Sequence, residues 1–551
     1  MKFNSVNKIL ESSFRSNWER DALSNYKGST LTYRDVATGI RRMQLLFEKC
    51  GIVKGDKIAV CSRNQANWGV CFLAALTYGA VPVPLLHEFK PENIHYLVNH
   101  SDARLLFVGD NIWENLSETE MPELLAIVSV NSLNLLFSRV EPLQFLSEAI
   151  DMDFVRLYPG GLKPEDLSYY EDEADELAMI NYTSGTSGFS KGVMLSYRNL
   201  YANLTAAREE AEPQMSCESE VVSLLPSAHM YGMMFEFLFE MTIGAHVYFL
   251  TRVPSPKVIL GAFAEVHPDI IISVPLIIEK VYKSKLKPLA DRTQPFIKLP
   301  LLGQAIQKTV RDGLIEAFGG RFEEIILGGA PFNPEVEAFL RTIHFPFTVG
   351  YGMTECAPLV TYCKWYKTRK GSCGQPIKCC QVRIDSKNPH KIPGEIQIKG
   401  DNVFMGYYKN RQATAASFTN DNWLKTGDMG IIDADGYVYL KGRSKCMILG
   451  PSGQNIYPEE LEGVINNVNY VVDSLVIEDD GGLTALIFPD YRQAEMDGLS
   501  AEDLETKIRD TMPEVNKKLP VYANIRKIEF MPEDFERTPK RSIKRYLYQR
   551  N

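Results

Sequence analysis

The sequence has little of what marks a secreted, metal-clustered or nucleic-acid-binding protein. Its ten cysteines follow no framework spacing. There is no Cys-x-x-Cys pair, and the closest two, Cys379 and Cys380, are adjacent, which suits neither a zinc knuckle nor a simple disulfide. Free thiols in a reducing compartment are therefore expected. The eight histidines include no His-Glu-x-x-His, so no structural metal is expected. A basic surplus is missing as well. The net charge of −9 argues against a general nucleic-acid binder, although a local basic groove for a nucleotide remains compatible with it. Residues 1–13 hold no apolar core of signal-peptide length. The charge-free stretch 64–86 is no membrane span: Asn64, Gln65 and Asn67 are polar, and Gly79, Pro82 and Pro84 interrupt it. Its helical part of about 14 residues covers roughly 21 Å of a roughly 30 Å hydrocarbon core. A soluble, cytoplasmic protein is expected, with peripheral membrane contact left open. No repeat or low-complexity tract occurs, and no pattern encodes an oligomeric state.

What is present is a long alternation of strand and helix patterns. With 551 residues and 45% apolar residues, the chain calls for two or more domains. A capped helix is expected over 31–50, with Thr32 leading into Asp35. Strand 57–61, helix 65–78 and strand 81–85 make one βαβ unit. The acidic run 171–176 reads as a solvated subdomain edge. Beyond it, strands near 177–180, 193–195, 221–225, 245–250, 269–273, 324–327 and 347–349 alternate with helices, the one over 231–242 being rich in Met and Phe. Residues 285–300 read as a surface excursion. Such alternation predicts doubly wound, mostly parallel sheets with ligands beyond the carboxyl ends of the strands. From 371 the period changes to two, as in Gly394–Lys399 and Gly436–Leu440, which predicts antiparallel strands. The β pattern stops at Gly442-Arg443-Ser444-Lys445, a candidate hinge before a small α+β unit. The expected fold class is thus α/β: a large N-terminal domain, 1–442, of two doubly wound sheets plus a β-rich subdomain (about 1–176, 177–370 and 371–442), and a small mobile α+β domain, 443–551.

The chemistry centres on residues 182–193, Tyr-Thr-Ser-Gly-Thr-Ser-Gly-Phe-Ser-Lys-Gly-Val. Small residues let backbone N–H groups approach a ligand, hydroxyls add donors, and Lys191 adds one positive charge, a combination that suits a polyphosphate. It is not a Walker A loop, because Ser190 stands at the second glycine and Gly192 follows the lysine. Two further loops stand at strand ends. One is Gly328-Gly329-Ala330-Pro331. The other is Gly350-Tyr351-Gly352-Met353-Thr354-Glu355, which fails the dinucleotide fingerprint at Glu355. Together they offer close backbone approach, an aromatic face at Tyr351, a hydroxyl at Thr354 and a carboxylate at Glu355. A carboxylate beside phosphates usually acts through a cation, commonly Mg²⁺.

These stretches, with Thr426-Gly427-Asp428 in a turn and 443–462, resemble the motifs of the adenylate-forming superfamily of acyl- and aryl-CoA ligases, peptide-synthetase adenylation domains and luciferases, in the family's order. The resemblance implies ATP, Mg²⁺ and coenzyme A as cofactors. It makes Thr183, Ser184, Gly185, Thr186, Ser187, Gly188 and Lys191 the phosphate loop. Gly329, Ala330 and Pro331 with Gly350, Tyr351, Gly352 and Met353 become the adenine segments. Thr354 and Glu355 become the phosphate and magnesium pair. Asp428 and Arg443 would hold the ribose, Lys445 the hinge position, and Gly453 a loop facing the thiol tunnel. Met447-Ile448-Leu449, Asn455–Glu460, Ser273-Val274-Pro275 and Leu225–Gly232 look most like long-chain fatty acid CoA ligases, with His229 at the acyl gate and helix 231–242 behind it.

The implied reaction is attack of a fatty acid carboxylate on the α-phosphorus of ATP, then displacement of AMP by a thiol. The catalytic set is Thr183, Lys191, His229, Glu355 and one lysine from the C-terminus. There the chain departs from the family: Ser542 occupies the usual lysine slot in Thr538-Pro539-Lys540-Arg541-Ser542-Ile543-Lys544-Arg545. An extended segment would put Lys540 and Lys544 on the face of Ser542, and Lys540 is the favoured substitute. The departure keeps two alternatives open: an acyl carrier protein as acceptor, docked on Lys517, Lys518, Arg526 and Lys527, and a non-catalytic or half-reaction acyl-adenylate binder.

Overall fold

The computed structural model describes residues 3–183, 190–211, 215–252, 255–283, 302–449, 454–479, 481–538 and 542–550. The expected βαβ unit forms one side of a five-stranded sheet in the order Val81–Leu85, Lys57–Cys61, Ala103–Val108, Ala126–Ser129, Leu135–Ser138. The first four strands run parallel and the last antiparallel. Ile58, Ala59, Val60 and Cys61 are all buried, as expected of a parallel strand covered on both faces. Helix Ala66–Tyr78 is apolar all round because it too is buried all round. Among the described residues no helix is long and apolar enough to cross a membrane. Val81–Leu85 contains two prolines, which lack the N–H that a further strand would need, and the ladder ends there.

A second set of strands completes the α/β part. Glu220–Ser223, His246–Phe249 and Asp21–Asn25 are parallel, with Thr30–Thr32 antiparallel at the edge. Ile271–Ser273, Ile325–Leu327 and Phe347–Val349 form a parallel trio. The mostly parallel sheets thus carry antiparallel edge strands, and one antiparallel unit stands beside them. Leu177–Thr183 and Lys191–Ser196 form an antiparallel hairpin, which lies beside Val81–Leu85.

Helix Tyr33–Lys49 begins with the expected box, in which Thr32 and Asp35 cap each other's backbone. The Met- and Phe-rich helix is not continuous. Met230–Met233 and Phe239–Ile243 are α-helical, and Met234–Leu238 between them is a π-helical turn. The acidic run is only partly a solvated edge. Buried Asp172 accepts from Ser5 Oγ and from the amides of Val6 and Asn7, fixing the start of helix Val6–Ser16. Asp175 pairs with Arg198, and Glu176 with Lys54.

The β-rich part is an antiparallel sheet, Cys380–Asp385, Gly394–Gly400, Leu424–Ile432 and Val438–Arg443. Its last strand leads into the C-terminal α+β unit, where Val471–Asp479, Gly482–Pro489 and Ile525–Phe530 form a sheet covered by helix Ala501–Lys518. At the junction Gly442 has φ +153°, and a Cβ there would lie 2.9 Å from Glu459 Oε2 and 3.2 Å from Tyr457 Cβ. Lys441–Glu460 at 3.1 Å and Asn333–Asn467 at 2.6 Å are further contacts across this junction. All ten cysteines are unpaired, as expected, and eight are buried.

Candidate active site

The hairpin register places Thr183 opposite Lys191. Ser184, Gly185, Thr186, Ser187 and Gly188 lie outside the described residues, as do Gly453, Lys540 and the stretch 285–300. Gly406–Tyr407 adds a third antiparallel strand, with Tyr407 opposite Val193. Residues 191, 193 and 407 thereby share a face, and Lys191 Nζ sits 4.7 Å from the centre of the Tyr407 ring.

The same tyrosine reaches Glu355. This residue is buried on the short helical turn Thr354–Cys356, and its Oε1 accepts from Tyr407 Oη at 2.8 Å. Its backbone carbonyl accepts from the Phe404 amide, so the turn and the 400s segment are joined twice. Among the described residues no group of three or more His, Cys, Asp and Glu could hold a metal. The donor set at Glu355 is a single carboxylate. It fits a Mg²⁺ ion that takes its remaining ligands from phosphate oxygens and water, the usual arrangement for that ion.

The loop before Glu355 is more structured than its glycines suggest. Tyr351–Gly352 is a short strand paired with Leu359–Tyr362. Gly352 is required by close approach, since a Cβ there would meet Pro358 O at 2.1 Å. Gly350 is tied by its amide to Leu327 O, beside the Gly328–Pro331 loop, where Gly329, Ala330 and Pro331 are exposed and Gly329 takes φ +82°. Tyr231 crosses to this loop. Its ring lies 3.1–3.3 Å from where a Gly328 Cβ would be, and its Oη donates to Ile326 O. His229 sits one turn away at the helix start, its Nδ1 accepting from the Tyr231 amide.

Asp428 is not in a turn. It lies inside strand Leu424–Ile432, directly opposite Arg443, after a left-handed Gly427 at φ +72°. Its Oδ1 pairs with Arg443 Nε at 2.8 Å, and its Oδ2 accepts from Tyr351 Oη at 2.8 Å. Burial pushes the carboxyl pKa up, and the arginine and the tyrosine hydroxyl partly offset this. Each oxygen has a second lone pair, so two hydroxyl donors from a ligand remain compatible with these bonds. Tyr351, Asp428 and Arg443 thus form one bonded trio, while Lys191, Tyr407 and Glu355 form another group, with Thr183 opposite Lys191 on the neighbouring strand. Sequence reasoning missed Tyr407; its only signal was an aromatic residue after a glycine in a period-two region.

At the C-terminus Thr538 donates its amide to Ser542 O, and Arg537 bridges Ile543, so Ser542–Lys544 runs antiparallel to Glu536–Thr538. Lys544 is tied to Glu536 at 3.1 Å, and Arg545 binds Glu462 on helix Pro458–Ile465. Two of the four cations in the basic patch are also engaged, Lys517 with Glu514 and Lys527 with Glu529 and Asp479.

Comparison with known proteins identifies the family. The AMP-binding enzyme family matches residues 10–408, and the C-terminal domain family of AMP-binding enzymes matches 447–551. A long-chain-fatty-acid–CoA ligase, FadD15 of Mycobacterium bovis, is 26% identical over 94% of this chain and 90% of its own length. The peroxisomal long chain acyl-CoA synthetase 7 of Arabidopsis thaliana is 28% identical over 92% of this chain and 77% of its own. Among solved structures, an anthranilate CoA ligase, AuaEII, in complex with anthranoyl-AMP shares the fold. It superposes with a TM-score of 0.78 at 19% identity, over 100% of this chain and 97% of that one. The chain belongs to the AMP-binding enzyme family, that of the adenylate-forming enzymes.

Proposed function

We propose that the protein activates a medium- or long-chain fatty acid with ATP and passes the acyl group to the thiol of coenzyme A. The observation that carries this reading is the placing of Lys191 and Glu355 on one side chain, Tyr407, with Thr183 opposite Lys191, together with the Tyr351–Asp428–Arg443 trio. One cluster supplies charge for phosphates and the other donors and acceptors for a nucleoside. A carboxylate is a poor acyl donor because its leaving group would be oxide. Its oxygen attacks the α-phosphorus, the bond to the bridging oxygen breaks, and pyrophosphate leaves with the electron pair. The thiolate then adds to the acyl carbon and AMP departs. The first step depends on charge stabilisation rather than on a covalent enzyme intermediate. Lys191 and the Thr183 hydroxyl would bind the phosphates. Glu355 would hold Mg²⁺, which supplies further charge neutralisation. Tyr351 would pack against the base, and Asp428 and Arg443 would hold the ribose.

The acyl substrate is inferred from two things: the relatives that are long-chain ligases, and the Met- and Phe-lined helix that starts at His229. Met230, Met233, Met234, Phe237, Leu238 and Met241 on this helix are essentially inaccessible to water. Methionine adapts to a flexible chain at small cost in packing. The reading is tested by exchange of labelled pyrophosphate into ATP with acetate, benzoate, octanoate and palmitate, followed by thioester formation with coenzyme A and with acyl carrier protein side by side. Exchange should be strongest with the two longer chains, and thioester should form on coenzyme A. Equal exchange with all four acids, or transfer to carrier protein alone, sinks it.

A further inference from the structure

Tyr407 stands between two groups of opposite charge. Its strand pairs with Val193, so its side chain is the diagonal neighbour of Lys191. The lysine Nζ lies over the ring at 4.7 Å, and the hydroxyl donates to Glu355 Oε1 at 2.8 Å. The ring itself is fixed. Its backbone amide donates to Thr414 Oγ1 at 2.9 Å, and Phe404 packs edge-on at 4.9 Å. Gly406 before it takes φ +138° because the Thr414 side chain fills the place of a Cβ. Lys191 and Glu355 form no ion pair with each other, although both contact this one side chain. In a partly desolvated site a lysine and a carboxylate attract strongly and would neutralise each other if they met.

We propose that Tyr407 is a positioning residue that keeps Lys191 and Glu355 apart and charged, the lysine on the ring face and the carboxylate on the hydroxyl. This rests on the phosphate and cation roles proposed above for the two residues. Both contacts suit a group that must be released. The ring holds an ammonium through its quadrupole alone, so incoming phosphate oxygens can outcompete it. The hydroxyl occupies one lone pair of Oε1 and orients the carboxylate, leaving acceptor capacity for a cation. The arrangement pre-sets two opposite charges on either side of the position for the phosphates, without cost of reorganisation when ATP arrives.

Two variants separate the contacts. Tyr407→Phe keeps the ring and removes the hydroxyl; Tyr407→Leu removes both and keeps an apolar filler. The first readout is Mn²⁺ binding, followed by electron paramagnetic resonance in the presence of α,β-methylene-ATP. The second is a crystal structure of each variant. Tyr407→Phe should weaken Mn²⁺ binding by about tenfold, the scale of one charge-assisted hydrogen bond, while affinity for the analogue in metal-free buffer stays unchanged. Tyr407→Leu should show the same loss and, in its crystal structure, Lys191 Nζ within ion-pair distance of the Glu355 carboxylate. Unchanged Mn²⁺ affinity in Tyr407→Phe overturns the role assigned to the hydroxyl. A Lys191 still apart from Glu355 in Tyr407→Leu overturns the role assigned to the ring, and if that variant does not fold, Tyr407→Met, which also removes the ring, is read in the same way. A wild-type protein that exchanges no pyrophosphate with any acid refutes the proposed reaction, yet the metal and crystal readouts still decide what Tyr407 does.

Discussion

Glu240 shows how a single side chain can write pH into stability. It is buried on the segment Phe239–Ile243, its Oε2 has no partner among the described residues, and burial pushes its pKa from 4.5 up to about 8. Below the unfolded value both states carry the proton and the group costs nothing. Between about 4.5 and about 8 the folded chain keeps a proton that the unfolded chain has lost, so stability falls as pH rises through that window. Glu236, one turn earlier, is raised for the same reason and acts with the same sign, although it accepts bonds from Ser223 Oγ and the amides of Leu224 and Leu225. Glu240→Gln should therefore reduce the slope without abolishing it. Its thermal midpoint relative to wild type should move in its favour between about pH 5 and about pH 8, and parallel curves would refute the account. The sequence analysis passed over the two glutamates, because nothing local tells that they are buried. Lys191, Glu355 and Asp428 were legible because their loops carry a fixed order of residues. Tyr407 was not, because its role comes from pairing with Val193, a contact between strands far apart in sequence.

Elements follow the same division between local pattern and distant partner. Helix Tyr33–Lys49 was readable from its cap and its single apolar face. Helix Leu143–Leu157 was not, because Leu146, Ile150 and Phe154 are buried while Phe145, Met152 and Val155 are exposed, which blurs the period. Helix Val6–Ser16 was missed because its buried face mixes Asn7, Glu11 and Ser13 with the apolar Val6, Leu10 and Phe14. That helix depends on Asp172, whose carboxylate serves three donors at its start. In Asp172→Ala these donors would be left unsatisfied and buried, at a cost of about 1–3 kcal/mol. Amide exchange in the first helix should accelerate while exchange in the strand Lys57–Cys61 stays at the wild-type rate. Unaltered exchange across Val6–Ser16 would show that Asp172 is not what holds it. The hairpin Leu177–Ser196 was read as two strands about a loop; its antiparallel closure and its place beside the proline-ended ladder needed the structure.

At the scale of the whole molecule, the alternation of patterns and the change to period two near 371 were legible, since each is a change in local periodicity, whereas the strand expected to stop at Gly442 runs through it to Arg443. How the C-terminal unit meets the rest was not. The vacancy of the lysine slot at Ser542 is the point where this matters most. Lys544, one of the two candidate substitutes, is held by Glu536, and Arg545 is committed to Glu462. Lys540→Ala is therefore expected to lower pyrophosphate exchange by about 10²–10³ while thioester formation from supplied acyl-adenylate proceeds. A silent Lys540→Ala together with a faster first step in Ser542→Lys would instead mean that the slot is empty and favour a half-reaction role. Gly442 carries a consequence of another kind. Its α-carbon faces Tyr457 and Glu459 so closely that a methyl group would have to push both side chains aside, and its φ of +153° is one that L side chains rarely adopt. An alanine there would work as a wedge driven into a joint: it would raise the energy of this one arrangement of the two units and leave each unit's own core untouched, so that one added carbon would act as a selector of shape.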